Sequence, residues 1–251
     1  MNASDEGEIG AVFLGVMSAK FSPDGRYIVT AAVDGTVRLW DAETYEQLQS
    51  EIINPREGSE SPWGVTLATF SPDSTLLAAV TDSGPVPAGL VKVWEIATGD
   101  VLLEEVGGTR LFGVNFSPDG RYLAVSGPTD VPIQMWDIES GEQLLNIPPP
   151  DGIVRGIYFT EDGRQLITPA GSALHFWDAA NGDLLRTLNI PQPFVLSPDG
   201  SRLFAGGEDG LVRVYLMNVD ELATLARSRL TRSLTEAECQ QYLHVAVCPA
   251  E

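Results

Sequence analysis

Histidine and cysteine are scarce in this chain, with two of each in 251 residues. His244 lies in the C-terminal stretch, so His175 stands alone in the body of the sequence. Histidine-dependent acid–base or triad chemistry is nearly excluded on that count. Cys239 and Cys248, with His244 between them, give too few ligands on a short segment for a zinc site. No metal is expected. In a cytoplasmic protein the two thiols default to the reduced state, and a disulfide is the alternative. No apolar run reaches the length of a membrane span. The opening MNASDEGEIG lacks the basic segment of a secretory signal, so a cytoplasmic location away from the membrane is expected. Basic residues are few as well, 15 against 35 acidic, for a net charge of −20. An acidic surface repels phosphate backbones, so nucleic acid is not an expected partner; the plain role of the charge is solubility. There is no glycine-rich phosphate loop with its lysine and no kinase motif set. No cofactor is expected.

What the sequence does have is a period. Phe-Ser-Pro-Asp-Gly or a close variant begins at Phe21, Phe70, Phe116, Phe159 and Leu196, at steps of 37 to 49 residues. Each copy is followed by Trp40-Asp41, Trp94-Glu95, Trp136-Asp137, Trp177-Asp178 or a decayed Tyr215-Leu216. An apolar stretch ends at each Phe. In the turn that follows, Pro presets φ, Asp bonds its own backbone and Gly accepts positive φ. A second strand, a second turn (cleanest at Asp34-Gly35 and Asp209-Gly210), a third strand ending on the aromatic, and a fourth short strand complete the unit. One such sheet cannot bury both faces alone, whereas radially stacked sheets cover each other. The expected fold is an all-β propeller of about five four-stranded blades. A β-sandwich of unrelated hairpins would not need one turn motif five times.

The Ser-Pro-Asp-Gly turn followed by a Trp-Asp end resembles the WD-repeat family, over roughly residues 10–217. The resemblance implies a non-catalytic scaffold that binds a protein or peptide. Blades of that family often carry a Gly-His pair whose His bonds the Asp of the second turn. No copy here has it. The Asp end survives at Asp34 and Asp209, with Asp130 as a third candidate, and is Ser172 in the fourth copy. His175, beside Trp177, reads as a strand-packing residue.

The propeller is assigned to residues 9–217. The last copy lacks a fourth strand after Tyr215, and residues 9–14 are positioned to supply it and close the ring. A fragment of a larger ring is the alternative. From Asn218 the apolar period changes to 3.6, and Val219, Leu222, Leu225 and Leu230 form one stripe. Residues 218–251 are therefore expected to be a helical tail packed on the propeller. Asn218 with Glu221, and Thr235 with Glu238, look like capping boxes. This tail resembles one that closes bacterial WD-repeat signalling proteins, implying the sensor end of a protein with an upstream effector module.

The expected working surface follows from loop chemistry. The loops between second and third strands, and those between units, hold the variation: residues 54–63, 83–89, 127–132 and 148–152. Proline there lowers the ordering cost of a binding loop. Trp63, Pro85, Val86, Pro87, Arg110 and Asp130 are the candidate partner-binding residues; aromatic and arginine side chains anchor interfaces. Alternatively, Pro stiffens long loops and Trp63 packs beneath one. Carboxylates of the repeated turns have turn-forming roles, so no catalytic residue is expected. Two other readings are a structural spacer or oligomerisation module and, more remotely, a propeller hydrolase or lactonase.

Overall fold

The computed structural model describes residues 15–52, 64–81, 89–190, 194–197, 201–207 and 209–217, together with 224, 225 and 228. Two compact units are present, Met1–Pro193 and Phe194–Glu251. The first contains four antiparallel four-stranded sheets. Sheet 1 comprises β1 (Val16–Phe21), β2 (Tyr27–Ala32), β3 (Thr36–Asp41) and β4 (Gln47–Ile52). Sheet 2 comprises β5 (Val65–Phe70), β6 (Leu76–Thr81), β7 (Gly89–Glu95) and β8 (Val101–Gly108). Sheet 3 comprises β9 (Gly113–Phe116), β10 (Tyr122–Ser126), β11 (Ile133–Asp137) and β12 (Gln143–Ile147). Sheet 4 comprises β13 (Tyr158–Phe159), β14 (Gln165–Ala170), β15 (Ala173–Asp178) and β16 (Leu184–Asn189). The second unit holds a three-stranded sheet of β17 (Phe194–Leu196), β18 (Arg202–Gly206) and β19 (Val212–Leu216). These sheets are the expected blades. The strand proposed to complete the last one, residues 9–14, lies outside the described residues.

The motif turn forms because each of its side chains has a local partner. In the third copy the Ser117 hydroxyl donates to Asp119 at 2.5 Å and accepts the Tyr122 amide at 2.9 Å. Asp119 in turn accepts the Arg121 amide at 3.1 Å. Gly120, at φ +73°, closes the turn by donating to the Ser117 carbonyl at 2.9 Å. The first, second and fourth copies repeat this around Ser22–Asp24, Ser71–Asp73 and Thr160–Asp162. The serines are buried because every polar atom they carry is used inside the turn.

Alternation along the second strand of each sheet then builds the core. On β6, Leu77 and Ala79 pack toward sheet 1, while Ala78 and Val80 pack toward sheet 3. On β10, Leu123 and Val125 face sheet 2 and Ala124 faces sheet 4. The tryptophans ending the third strands pack backwards: Trp94 on sheet 1, Trp136 on sheet 2, Trp177 on sheet 3. Burial of a large apolar side chain of this kind contributes roughly 1.5–3 kcal/mol.

In sheet 4 the expected long first strand shrinks to Tyr158–Phe159, preceded by a single bridge between Val154 and Ala170. Gly156 interrupts it, lying so close to Gly113 that a Cβ on Gly113 would sit 3.1 Å from its backbone. The expected tail falls almost wholly outside the described residues. Thr224, Leu225 and Ser228 have helical backbone, and the Ser228 hydroxyl donates to the Leu225 carbonyl at 2.7 Å. Asn218, Leu222, Cys239, His244 and Cys248 lie outside.

Candidate functional site

Register places the loops on two faces. Val16 pairs with Ala32 and Phe21 with Ile28. The motif turn is therefore at one end of the sheet. The connection arriving from the preceding sheet and the turn between second and third strands are at the other. Successive motif turns touch each other: the Asp24 amide donates to Ser74 Oγ at 3.2 Å. At the opposite end the inter-sheet connections pack onto the second turns. The Leu111 amide donates to the Thr81 carbonyl at 3.4 Å, and the Thr66 hydroxyl donates to the Leu111 carbonyl at 2.7 Å. The Val154 amide donates to the Gly127 carbonyl at 3.1 Å, and the Ser126 hydroxyl to the Val154 carbonyl at 3.3 Å.

Two of the six candidate residues are described, and the fold brings their loops together. Arg110, partly buried, is in the connection between β8 and β9; Asp130, exposed, is in the β10–β11 turn. The Thr109 hydroxyl donates to Asp130 Oδ2 at 3.3 Å. Gly127 lets the loops meet, since a Cβ there would lie 2.4 Å from the Arg110 carbonyl oxygen. Beneath them Val131 and Leu111 are buried. Trp63, Pro85, Val86 and Pro87 lie outside the described residues.

Asp130 differs from its counterparts. Asp34 accepts the Thr36 amide and hydroxyl and pairs with Arg38, four residues on, at 3.0 Å. Asp209 pairs with Arg213 in the same i,i+4 geometry, which holds its carboxyl at about 2. The residue four beyond Asp130 is Gln134, which carries no charge, so Asp130 lacks that internal ion pair.

Sequence reasoning missed part of this rim. The Arg155 guanidinium lies 5.9 Å from the centroid of the Phe112 ring, with Arg155 exposed and Phe112 partly buried. Ile153, 42% exposed, lies two residues before Arg155 on the same connection. Arginine stacked on an aromatic ring is a common interface element. The signal was available as residue type at an inter-sheet connection, but the pairing of residues 43 apart was not. Among the described residues no group of three or more His, Cys, Asp or Glu side chains is arranged to hold a metal ion. His175 stacks on Trp177 with ring centroids 5.9 Å apart, a packing role as expected.

The profile of the WD domain, G-beta repeat, matches residues 12–41 and 194–215. The serine-threonine kinase receptor-associated protein of Dictyostelium discoideum is 30% identical over 84% of this chain and 67% of its own length. The small ribosomal subunit protein RACK1 of Caenorhabditis elegans is 29% identical over 62% of this chain and 51% of its own. The periodic tryptophan protein 2 of Arabidopsis thaliana is 25% identical over 76% of this chain and 19% of its own. The chain thus spans from about two thirds to a fifth of these relatives.

Proposed function

The chain belongs to the WD-repeat family, and from that premise we propose that it is a non-catalytic scaffold that binds a protein or peptide through the rim around Arg110 and Asp130. The observation carrying this reading is the convergence of the β8–β9, β10–β11 and β12–β13 connections on one face. That face presents Asp130, Ile153 and the Arg155–Phe112 stack. Such a surface mixes apolar, aromatic and charged contacts on rigid strand ends. Two of the relatives are named for what they join, a kinase receptor in one case and the small ribosomal subunit in the other. The acidic balance of −20 favours protein over nucleic acid or anionic membrane as partner. A cytoplasmic location and a place at the sensor end of a signalling protein, beside an effector module, belong to the same proposal; the latter rests on the tail sequence alone. The test is selection of peptides from a displayed library, followed by Kd measurement on Asp130→Lys and Arg155→Glu variants. Selected peptides should weaken on both. Peptides that bind both variants as well as wild type would place the working surface elsewhere.

A further inference from the structure

The strands that open the five sheets carry almost no charge. β1, β5, β9, β13 and β17 contain none of the chain's 35 acidic residues, and Lys20 on β1 is their one cation. Within the first unit these strands lie beside one another, β1 with β5, β5 with β9 and β9 with β13. The motif aromatics Phe70, Phe116 and Phe159 pack back on the preceding sheet. Alternation therefore turns the residue before each aromatic toward the following sheet. Those residues are Lys20, Thr69, Asn115 and Tyr158, one cation followed by three neutral polar side chains. Lys20 shows the direction directly, because its Nζ donates to Thr69 Oγ1 across the gap at 3.2 Å. Ser18, two residues earlier on β1, is engaged with the same strand, its hydroxyl accepting the Ala68 amide at 3.3 Å.

An ammonium has three donors, and Thr69 takes one. Among the described residues no carboxylate forms an ion pair with Lys20. Among the described residues burial is the cause that pushes its pKa below the ordinary lysine value. A desolvated cation without a counter-ion gains most from an arriving anion. The opening strands that follow it in the first unit, β5, β9 and β13, carry no negative group to compete with one.

We propose that Lys20, with Thr69 beside it, forms an anion-binding site for a peptide carboxylate, terminal or side-chain. Lys20 adjoins Phe21 at the motif-turn end of β1, so the site is at the opposite end from the Asp130 rim and does not depend on it.

The chain has two lysines, Lys20 and Lys92, so lysine-selective 15N labelling of the full chain gives two side-chain signals. Lys20→Arg assigns them. The probes are N-acetylglycine, with a terminal carboxylate, N-acetylglutamic acid α-amide, with a side-chain carboxylate, and neutral N-acetylglycinamide, at constant ionic strength. The Lys20 signal should move saturably with one or both carboxylates and not with the neutral amide, while Lys92 stays still. The tighter of the two carboxylates identifies the source. Lys20→Gln should weaken the carboxylate by about tenfold or more, the loss expected of a charge-assisted hydrogen bond. No movement, equal movement of both lysines, or unchanged binding to Lys20→Gln would overturn the proposal. Should Lys20→Gln fail to fold, the wild-type titration decides alone, with Lys92 as its internal control. Asp130→Lys should leave this binding intact, which separates the site's failure from that of the rim.

Discussion

The indole nitrogen of Trp177 donates to the hydroxyl of Thr168 at 2.8 Å inside sheet 4. Trp40 repeats this with Thr30 at 2.9 Å in sheet 1. At the same place in sheets 2 and 3, two residues beyond the leucine opposite the tryptophan, stand Ala79 and Val125. The hydroxyl therefore belongs to particular blades and is not a fixture of the repeat. Thr168 is fully buried and Trp177 is 7% exposed. Thr168→Val keeps the shape and leaves a buried N–H unpaired, a loss of about 1–3 kcal/mol. Thr30→Val should cost less, since both members of that pair are only partly buried. Urea unfolding of the two variants checks the order; equal costs would show that the hydrogen bond at Trp177 is not what Thr168 contributes.

Tyr45 sits at φ +61° where the other copies have Gly99, Gly141 and Gly182 at +71° to +79°. It is 73% exposed, so the ring gains little by burial. A left-handed conformation costs a non-glycine residue roughly 1–2 kcal/mol. Added chain entropy in the unfolded state takes back part of any gain from glycine. Tyr45→Gly is expected to stabilise by up to about 1 kcal/mol. A lower melting temperature would mean that the exposed ring makes a contact of its own.

What the sequence could tell depended on the range of each interaction. The motif turn was readable residue by residue because Ser117, Asp119, Gly120 and Tyr122 satisfy one another within six positions. Alternation put Trp94 and Val93 on opposite faces of β7, but which face meets sheet 1 and which meets sheet 3 is set by the stacking and not by any local pattern. The Thr168–Trp177 bond was hidden because it depends on the register of β14 against β15, which no local pattern fixes. At the rim, Arg110 and Asp130 were visible as unusual residues in proline- and glycine-bearing loops. Phe112 and Arg155 were not, since their contact joins two separate connections.

Acid should expose the carboxylates. Asp209 is held at about 2 against an ordinary 3.8, first by its hydrogen bond from Arg213 and then by the Leu211 amide. Asp24, Asp119 and Asp162 are lowered chiefly by the hydroxyls of Ser22, Ser117 and Thr160. Each folded carboxylate releases its proton more readily than the unfolded one. Their stabilisation is therefore complete above about pH 4 and is lost as pH falls from there toward 2. Carboxyl 13C titration should give Asp209 a midpoint near 2, moving up toward 3.8 in Arg213→Met. A wild-type midpoint near 4 would show that the pair does not form.

Gly127 offers the sharpest separation between fold and site. A Cβ there would stand 2.4 Å from the Arg110 carbonyl oxygen and 2.9 Å from Val131 Cβ. The first contact is backbone, which cannot step aside as a flexible side chain would. Gly127→Ala must push the β8–β9 connection away from the β10–β11 turn, separating Thr109 from Asp130. Overpacking of this kind costs about 1–3 kcal/mol. Gly141→Ala is the matched control: it meets nothing within 4 Å, and its cost comes from its φ of +71° alone. Peptides selected on the rim should bind Gly127→Ala more weakly and Gly141→Ala as wild type, with carboxylate binding at Lys20 preserved in both. If rim peptides bind Gly127→Ala undiminished while its stability falls, the apposition of the two loops serves packing and has no part in recognition.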